Sequence, residues 1–273
     1  MAEATYTIVF TMPALSAVID ALHALAPLRL AAAWDSVGLL IAPGRDTIDR
    51  VMTCLTVTSE VVAEAVRDRV DLVVAHHPLP FRPLARVTPD TGPGRAVLEL
   101  VRAGAGIWSS HTAWDSAAGG VNDLLATLLG LAHVAPIEPD RELPQVGFGR
   151  VGTAPAGRTV ADLATAAASA LGVRHVQLAG DTSRPAGRVG IVCGSGGESV
   201  AEVARAGCDT LFTGEIKLHD AIAARDSGLA VIAVGHHASE RFSMDAFARR
   251  LAAAVPGLAC HASRDERDPL DWL

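Results

Sequence analysis

Three short stretches of this sequence end in side chains that ligate divalent metals. Gly235-His236-His237-Ala238-Ser239-Glu240 sets a carboxylate four residues after a histidine, directly behind the apolar run Val231-Ile232-Ala233-Val234. His111-Thr112-Ala113-Trp114-Asp115 repeats that construction behind Gly106-Ile107-Trp108. Asp71-Leu72-Val73-Val74-Ala75 runs straight into the pair His76-His77. Each run reads as a short strand handing polar groups to its C-terminal end, where α/β folds collect their ligands. His, Asp and Glu suit divalent first-row metals. The pattern therefore predicts a metal site, with two ions.

From this spacing the ligands are His76, His77, Asp115, His236 and Glu240, and the ions Zn, Fe, Mn, Ni or Co, among which the donor set does not choose. Adjacent side chains on an extended segment point to opposite sides, so His76 and His77 are expected to serve different ions, or one of them a structural role. The expected division gives one ion His77 and Asp115 and the other His76 and His236. Glu240 bridges, because two cations about 3.5–4 Å apart need a shared anion between them. His111 is left as a further ligand, an orienting group or a proton shuttle. His111 and Glu215 are the candidates for moving protons. His237 is expected to face outward, and His23, His133, His175 and His261 to be scaffold or surface.

The elements that must position these groups follow from periodicity. Leu15, Val18, Ile19, Leu22 and Leu25 have helical spacing, with Thr11 as a cap. Trp34-Asp35-Ser36-Val37-Gly38 is a polar turn before an apolar strand at 38–41, and Asp35 reads as a turn residue. A strand at 50–57, a helix over 60–69 capped by Thr58 or Ser59, and a strand at 71–75 make a βαβ unit. Pro78 and Pro80 stiffen the loop after the histidine pair. Further on come a helix near 95–102 closed by Gly104, the His111/Asp115 strand, and a helix after Gly119-Gly120. A Pro/Glu/Asp-rich crossing at 134–146 separates two parts, 1–136 and 137–273. Thr159 and Asp162 form a capping box on a helix closed by Gly172. Strands at 188–193 and 210–213 follow, then a helix over 217–226. Gly194-Ser195-Gly196-Gly197 before a helix fits either a phosphate cradle or a tight turn. Glu60-Val61-Val62-Ala63-Glu64 and Glu198-Ser199-Val200-Ala201-Glu202 open ungapped matching segments that run to Asp71 and Asp209. The chain is accordingly expected to be α/β, two similar halves related by a pseudo-two-fold with the metal site in the cleft between them.

Composition narrows the function classes. A formal charge of −7 over 273 residues, with Lys217 the only lysine, gives no basic face to neutralise nucleic-acid phosphates. No stretch is apolar and long enough to span a bilayer, and Glu3 stands where a secretory signal would be basic. A soluble cytoplasmic protein is expected. The four cysteines are scattered, with no C-x-x-C, and read as buried core residues rather than a disulfide framework. No G-x-S-x-G elbow supports a nucleophilic serine.

Trp34-Asp35-Ser36-Val37-Gly38-Leu39, His76-His77-Pro78-Leu79, His111 through Asp123, Thr213-Gly214-Glu215 and Gly235 through Glu240, in that order, resemble the Nif-three-like family, whose members carry the name GTP cyclohydrolase I type 2. The resemblance covers nearly the whole chain and departs at Ser36, Pro80 and His237. It implies the same five metal ligands, two α/β halves with the site between them, and a homo-oligomer in the form of a toroidal hexamer. The expected function is a dinuclear metal-dependent hydrolase of a nucleotide-like or phosphorylated small molecule. The alternatives are a metal-trafficking protein without turnover and a scaffold in which metal only ties the halves together.

Overall fold

In the computed structural model, which describes residues 12–271, strands and helices alternate along the chain. It opens with α1 (Leu15–Leu25), β1 (Gly38–Ile41), β2 (Arg50–Cys54), α2 (Ser59–Arg67), β3 (Leu72–Ala75), α3 (Gly92–Ala103) and β4 (Gly106–Ser109). Two helices, α4 (His111–Ser116) and α5 (Val121–Leu128), lead to β5 (Ala132–Ala135), the small ladder β6 (Glu138–Pro139) with β7 (Gly147–Phe148), and β8 (Arg150–Thr153). Then follow α6 (Val160–Leu171), β9 (Gln177–Ala179), β10 (Arg188–Val192), α7 (Val200–Arg205), β11 (Thr210–Thr213), α8 (Leu218–Asp226) and β12 (Ala230–Ala233). The chain closes with α9 (His236–Glu240), α10 (Ser243–Ala254) and β13 (Ala259–Ala262).

Local chemistry accounts for several of these boundaries. Thr58 caps α2 by accepting from the Val61 amide, and Thr159 with Asp162 forms the expected capping box on α6. Gly104 and Gly172 end their helices in the left-handed conformation. The Thr11 cap expected for α1 lies outside the described residues. One expectation is corrected: His111 and Asp115 are not on a strand. β4 stops at Ser109, and the Trp114 amide bonds to the Ser110 carbonyl, so the segment winds into α4. The spacing of four that suggested a strand end places both side chains on one helix face.

The first sheet has the order β1-β4-β3-β2-β13 and the second β5-β8-β10-β11-β12-β9. Each contains three adjacent parallel strands, β2-β3-β4 and β10-β11-β12, ended by an antiparallel strand that precedes them in sequence. Alternate residues of each strand go to opposite faces. Val51, Leu72, Val74 and Trp108 of the first sheet share one core with Val189, Ile191, Phe212 and Ile232 of the second. Met52, Val73 and Ile107 pack on the α2/α3 side, and Leu211 and Val231 on the outer side of the second sheet, with Val200 and Ala224 of α7 and α8. The chain after α10 returns to the first sheet as β13, so the sheets exchange a strand across the division expected at 136/137. Among the described residues no helix is long and apolar enough to cross a membrane.

The register levels the strand ends on which the site stands. Cys54 pairs with Ala75 and Ala75 with Ser109, while Val192 pairs with Thr213 and Thr213 with Ala233. The ladder continues past them: the His111 amide bonds to the His76 carbonyl, and the Gly235 amide to the Gly214 carbonyl. Arg150, fully buried, then ties the end of α4 to the second sheet. Its guanidinium pairs with Asp123 and donates to the carbonyls of Ser116, Ala117, Gly147 and Gly149.

The returning tail is held by two buried carboxylates. Glu64 accepts from the Ser263 hydroxyl at 2.5 Å and from the Arg264 and Asp265 amides, and Glu266 accepts from the Leu55 and Thr56 amides. Burial raises the Glu64 pKa, but the hydrogen bonds outweigh it and hold the group at about 2, against an ordinary 4.5. A carboxyl held low in the folded state stabilises fully above its ordinary value and loses that contribution as pH falls through the folded one. Glu64→Ala is expected to lower unfolding free energy at pH 7 by about 2–4 kcal/mol. In urea titrations the gap between wild type and variant should narrow as pH falls from 4.5 toward 2; a gap that is absent or constant with pH contradicts this role.

Candidate metal centre

The levelled strand ends bring all the candidate ligands together. His76, one residue beyond β3, is buried, with Nε2 3.6 Å from Asp115 Oδ1 and 3.9 Å from Glu240 Oε1. His77 Nε2 lies 3.2 Å and His236 Nε2 3.0 Å from Glu240 Oε2. Donor atoms of His76, His77 and His111 all lie within 4.8 Å of one another, as do those of His77, His236 and Glu240. His76 stands with Asp115, and His77 with His236 and Glu240. β3 ends at Ala75, and beyond it the two rings lie 5.1 Å apart and both flank His111.

Several of these rings are held from behind through Nδ1. Thr56 Oγ1 is 2.8 Å from His77 Nδ1, and Asp35 Oδ1 is 2.7 Å from His111 Nδ1. Glu215 Oε1 lies 3.3 Å from His236 Nδ1, opposite the ring nitrogen that meets Glu240. Glu215 thus sits behind His236, with Ser195 Oγ 3.3 Å from its other oxygen. Asp35 is itself fixed by the Ser36 amide, the Thr112 amide and the Thr112 hydroxyl. Asp115 accepts from Cys193 Sγ at 3.2 Å, and its carbonyl from Asn122, which in turn binds the Cys193 amide. Asp35, Thr56 and Cys193 were not assigned to the site from sequence. Only Asp35 carried a signal, its place in the Trp34–Gly38 turn; its partner His111 is 76 positions away. His237 also departs from expectation: it is half-buried, with Nε2 buried and unpartnered.

The charge states follow from burial and neighbours. Burial drives the His76 pKa well below the ordinary value, leaving a neutral ring. His236 goes the other way: burial lowers it, but Glu240 and Glu215 outweigh this and raise it to about 9. Burial and the adjacent Glu240 charge raise Asp115, while His236 and His77 overcome burial and hold Glu240 low. For Asp35 the His111 and Thr112 bonds likewise overcome burial, lowering it to about 2, and Asp35 in return raises His111.

Most of these groups lie on the wall of a cavity of about 1100 Å³, whose lining includes His77, His111, Asp115, His236, Glu240 and Cys193. The profile of the Duf34/NIF3 (NGG1p interacting factor 3) family matches residues 13–269. The chain belongs to the DUF34/NIF3 family. It is 31% identical over 226 residues to a Clostridium perfringens protein named GTP cyclohydrolase 1 type 2 homolog, covering 83% of this chain and 86% of that protein. It is 31% identical over 268 residues to NIF3-like protein 1 of Drosophila melanogaster, covering 96% and 90%. The crystal structure of a Bacillus cereus protein related to NIF3 shares the fold with a TM-score of 0.90 at 21% identity, covering 96% of this chain and all of that one.

The donor chemistry of this DUF34/NIF3 chain fits a divalent cation. Both ring nitrogens of neutral His76 are buried and without a hydrogen bond. Glu240 Oε2 is buried and forms no hydrogen bond of acceptable geometry, although two ring nitrogens approach it closely. Buried donor atoms that crowd together without bonding to one another are suited to ligating a common cation. Gly194 makes the crowding possible: a Cβ there would overlap Glu240 Oε1, and its φ of +58° disfavours other residues. Gly194→Ala is expected to lower unfolding free energy by about 2 kcal/mol or more, measured by chemical denaturation. An unchanged midpoint would contradict this close packing.

Proposed function

We propose that this protein is a dinuclear divalent-metal-dependent hydrolase of a nucleotide-like or phosphorylated small molecule. One observation carries the proposal: two overlapping groups of donors, His76, His77 and His111, and His77, His236 and Glu240, share His77 at the wall of a large cavity, with His76 and Glu240 buried. His76, His77, Asp115, His236 and Glu240 would hold the ions, with the metal identity left open among Zn, Fe, Mn, Ni and Co. The four-strand runs β1-β4-β3-β2 and β9-β12-β11-β10, alike in order and direction, and the matching 60–71 and 198–209 segments support duplicated halves around a pseudo-two-fold.

Divalent ions supply Lewis acidity, which lowers the pKa of water and stabilises negative charge developing on a substrate oxygen. The remaining work belongs to the chain's own side chains. His111, anchored by Asp35 through Nδ1, keeps its other ring nitrogen for ligation or for carrying a proton to a leaving group. Glu215 and Ser195 steady His236 from behind. The name carried by relatives such as the Clostridium perfringens protein supports a purine nucleotide among the first substrates to try. A cytoplasmic homo-oligomer, hexameric by resemblance, completes the proposal.

Elemental mass spectrometry of purified protein should find about two ions per chain, lost in Asp115→Ala and Glu240→Ala. Asp35→Asn should keep the fold and weaken metal affinity about 10–100-fold. In His111→Ala, loss of metal identifies a ligand, whereas retained metal with lost turnover identifies a proton carrier. A chain that stays metal-free after reconstitution with each candidate ion contradicts the proposal. Absence of formate release from GTP by metal-loaded protein would exclude the cyclohydrolase version alone, and bound metal without turnover on any substrate would favour metal handling.

A further inference from the structure

Glu266, in the tail beyond β13, is a buried carboxylate for which the proposed chemistry has no use: its side chain is 1% exposed. A carboxylate so far from water needs partners that replace its hydration, and those of Glu266 come from two places that both border the metal centre. Oε1 accepts from the Thr56 amide at 2.7 Å and Oε2 from the Leu55 amide at 3.0 Å. Oε2 also meets Arg241 Nε at 2.7 Å.

Each of these partners stands next to a candidate ligand. The Thr56 hydroxyl lies 2.8 Å from His77 Nδ1, and the His77 amide bonds to the Leu55 carbonyl, so the 55–56 segment holds His77 by ring and by backbone. Arg241 is the residue after Glu240. It closes α9, its amide bonded to the His237 carbonyl, and α9 is the turn that presents His236 and Glu240. One carboxylate therefore grips the loop behind His77 and the helix end behind Glu240, whose Nε2 and Oε2 lie 3.2 Å apart.

Glu266 is itself fixed in place. Its amide donates to Ser263 Oγ, and the Ser263 amide bonds to the Thr53 carbonyl. Glu64 also fastens the tail, through Ser263, Arg264 and Asp265, but its partners all lie in the tail. The charge on Glu266 matters as well as its shape. All three of its side-chain partners are donors, so a glutamine in either orientation would turn its own N–H groups toward one of them.

We propose that Glu266 is a positioning residue of the metal centre: by binding the Leu55 and Thr56 amides and Arg241 together, it fixes the Thr56 hydroxyl behind His77 and the spacing of His77 from Glu240. This rests on the assignment of His77 and Glu240 as metal ligands. Removing a group that orients a ligating histidine weakens metal affinity about 10–100-fold; Glu266 acts one residue further back, and its loss should fall at about the lower end of that range.

Crystal structures of the metal-free proteins, together with zinc titrations against a chromophoric chelator, test it. Glu266→Gln should lose the Thr56–His77 contact and weaken zinc about tenfold. Thr56→Val should weaken zinc at least as much, and Thr56→Ser, which keeps the hydroxyl, should restore it. In the double variant Glu266→Gln/Thr56→Val the loss should fall well short of the product of the single losses, because both act through the same ring. Glu266→Asp, still charged beside Arg241 but one methylene shorter, should lengthen the same contact and serves where the Gln variant does not fold. Full zinc affinity or an unchanged Thr56–His77 contact in the Glu266 variant would overturn the proposal, as would single losses that simply multiply. Wild-type protein that takes up no ion, with the contact still broken by Glu266→Gln, would contradict the metal assignment and leave the hold of Glu266 on His77 standing.

Discussion

The arrangement depends on keeping Glu240 ionised where water barely reaches it. A buried carboxylate is tolerated only when neighbouring charge and hydrogen bonds replace its hydration. Here His236, whose pKa Glu240 and Glu215 raise, and His77 crowd its Oε2 from the ends of strands in the two sheets. That demand explains features that otherwise look unrelated. Two sets of parallel strands end level with each other, a glycine with positive φ stands against the carboxylate, and a one-turn helix carries His236 and Glu240 on the same face.

Orientation is supplied from further out, and by parts of the chain far apart in sequence. Thr56 braces His77 through its hydroxyl, while its amide is bound by Glu266 from the returning tail. Asp35 braces His111 from the turn before the first edge strand, and Glu215 stands behind His236 beyond β11. A ring with one nitrogen tied down has a defined tautomer and direction at the other. The strand β13 therefore does more than extend a sheet. Its continuation reaches the loop that steers one of the candidate ligands.

Much of this was legible in the sequence because it is local. Thr58 and Thr159 announced helix starts through side chains that bond within their own turn. The runs ending at Ala75 and Ala233 announced strands through unbroken apolar β-branched residues. The spacing of four in His111/Asp115 and His236/Glu240 marked both pairs, although the structure realises it on helices rather than strand ends. What was not legible depends on tertiary pairing. Asp35 reads as an ordinary turn residue until His111 is folded against it. Cys193 reads as core until Asp115 lies beside its sulfur. The strand Ala259–Ala262 gives no sign of which sheet it joins, since four residues of edge strand carry little pattern.

The measurement that bears most directly on the central claim is X-ray absorption spectroscopy of the metal-loaded protein. The account predicts a nearest shell of nitrogen and oxygen donors from imidazole and carboxylate, with a metal–metal vector at about 3.5–4 Å. A shell dominated by sulfur, which would move Cys193 from a brace on Asp115 to a ligand, or a single ion with no metal neighbour, would contradict it.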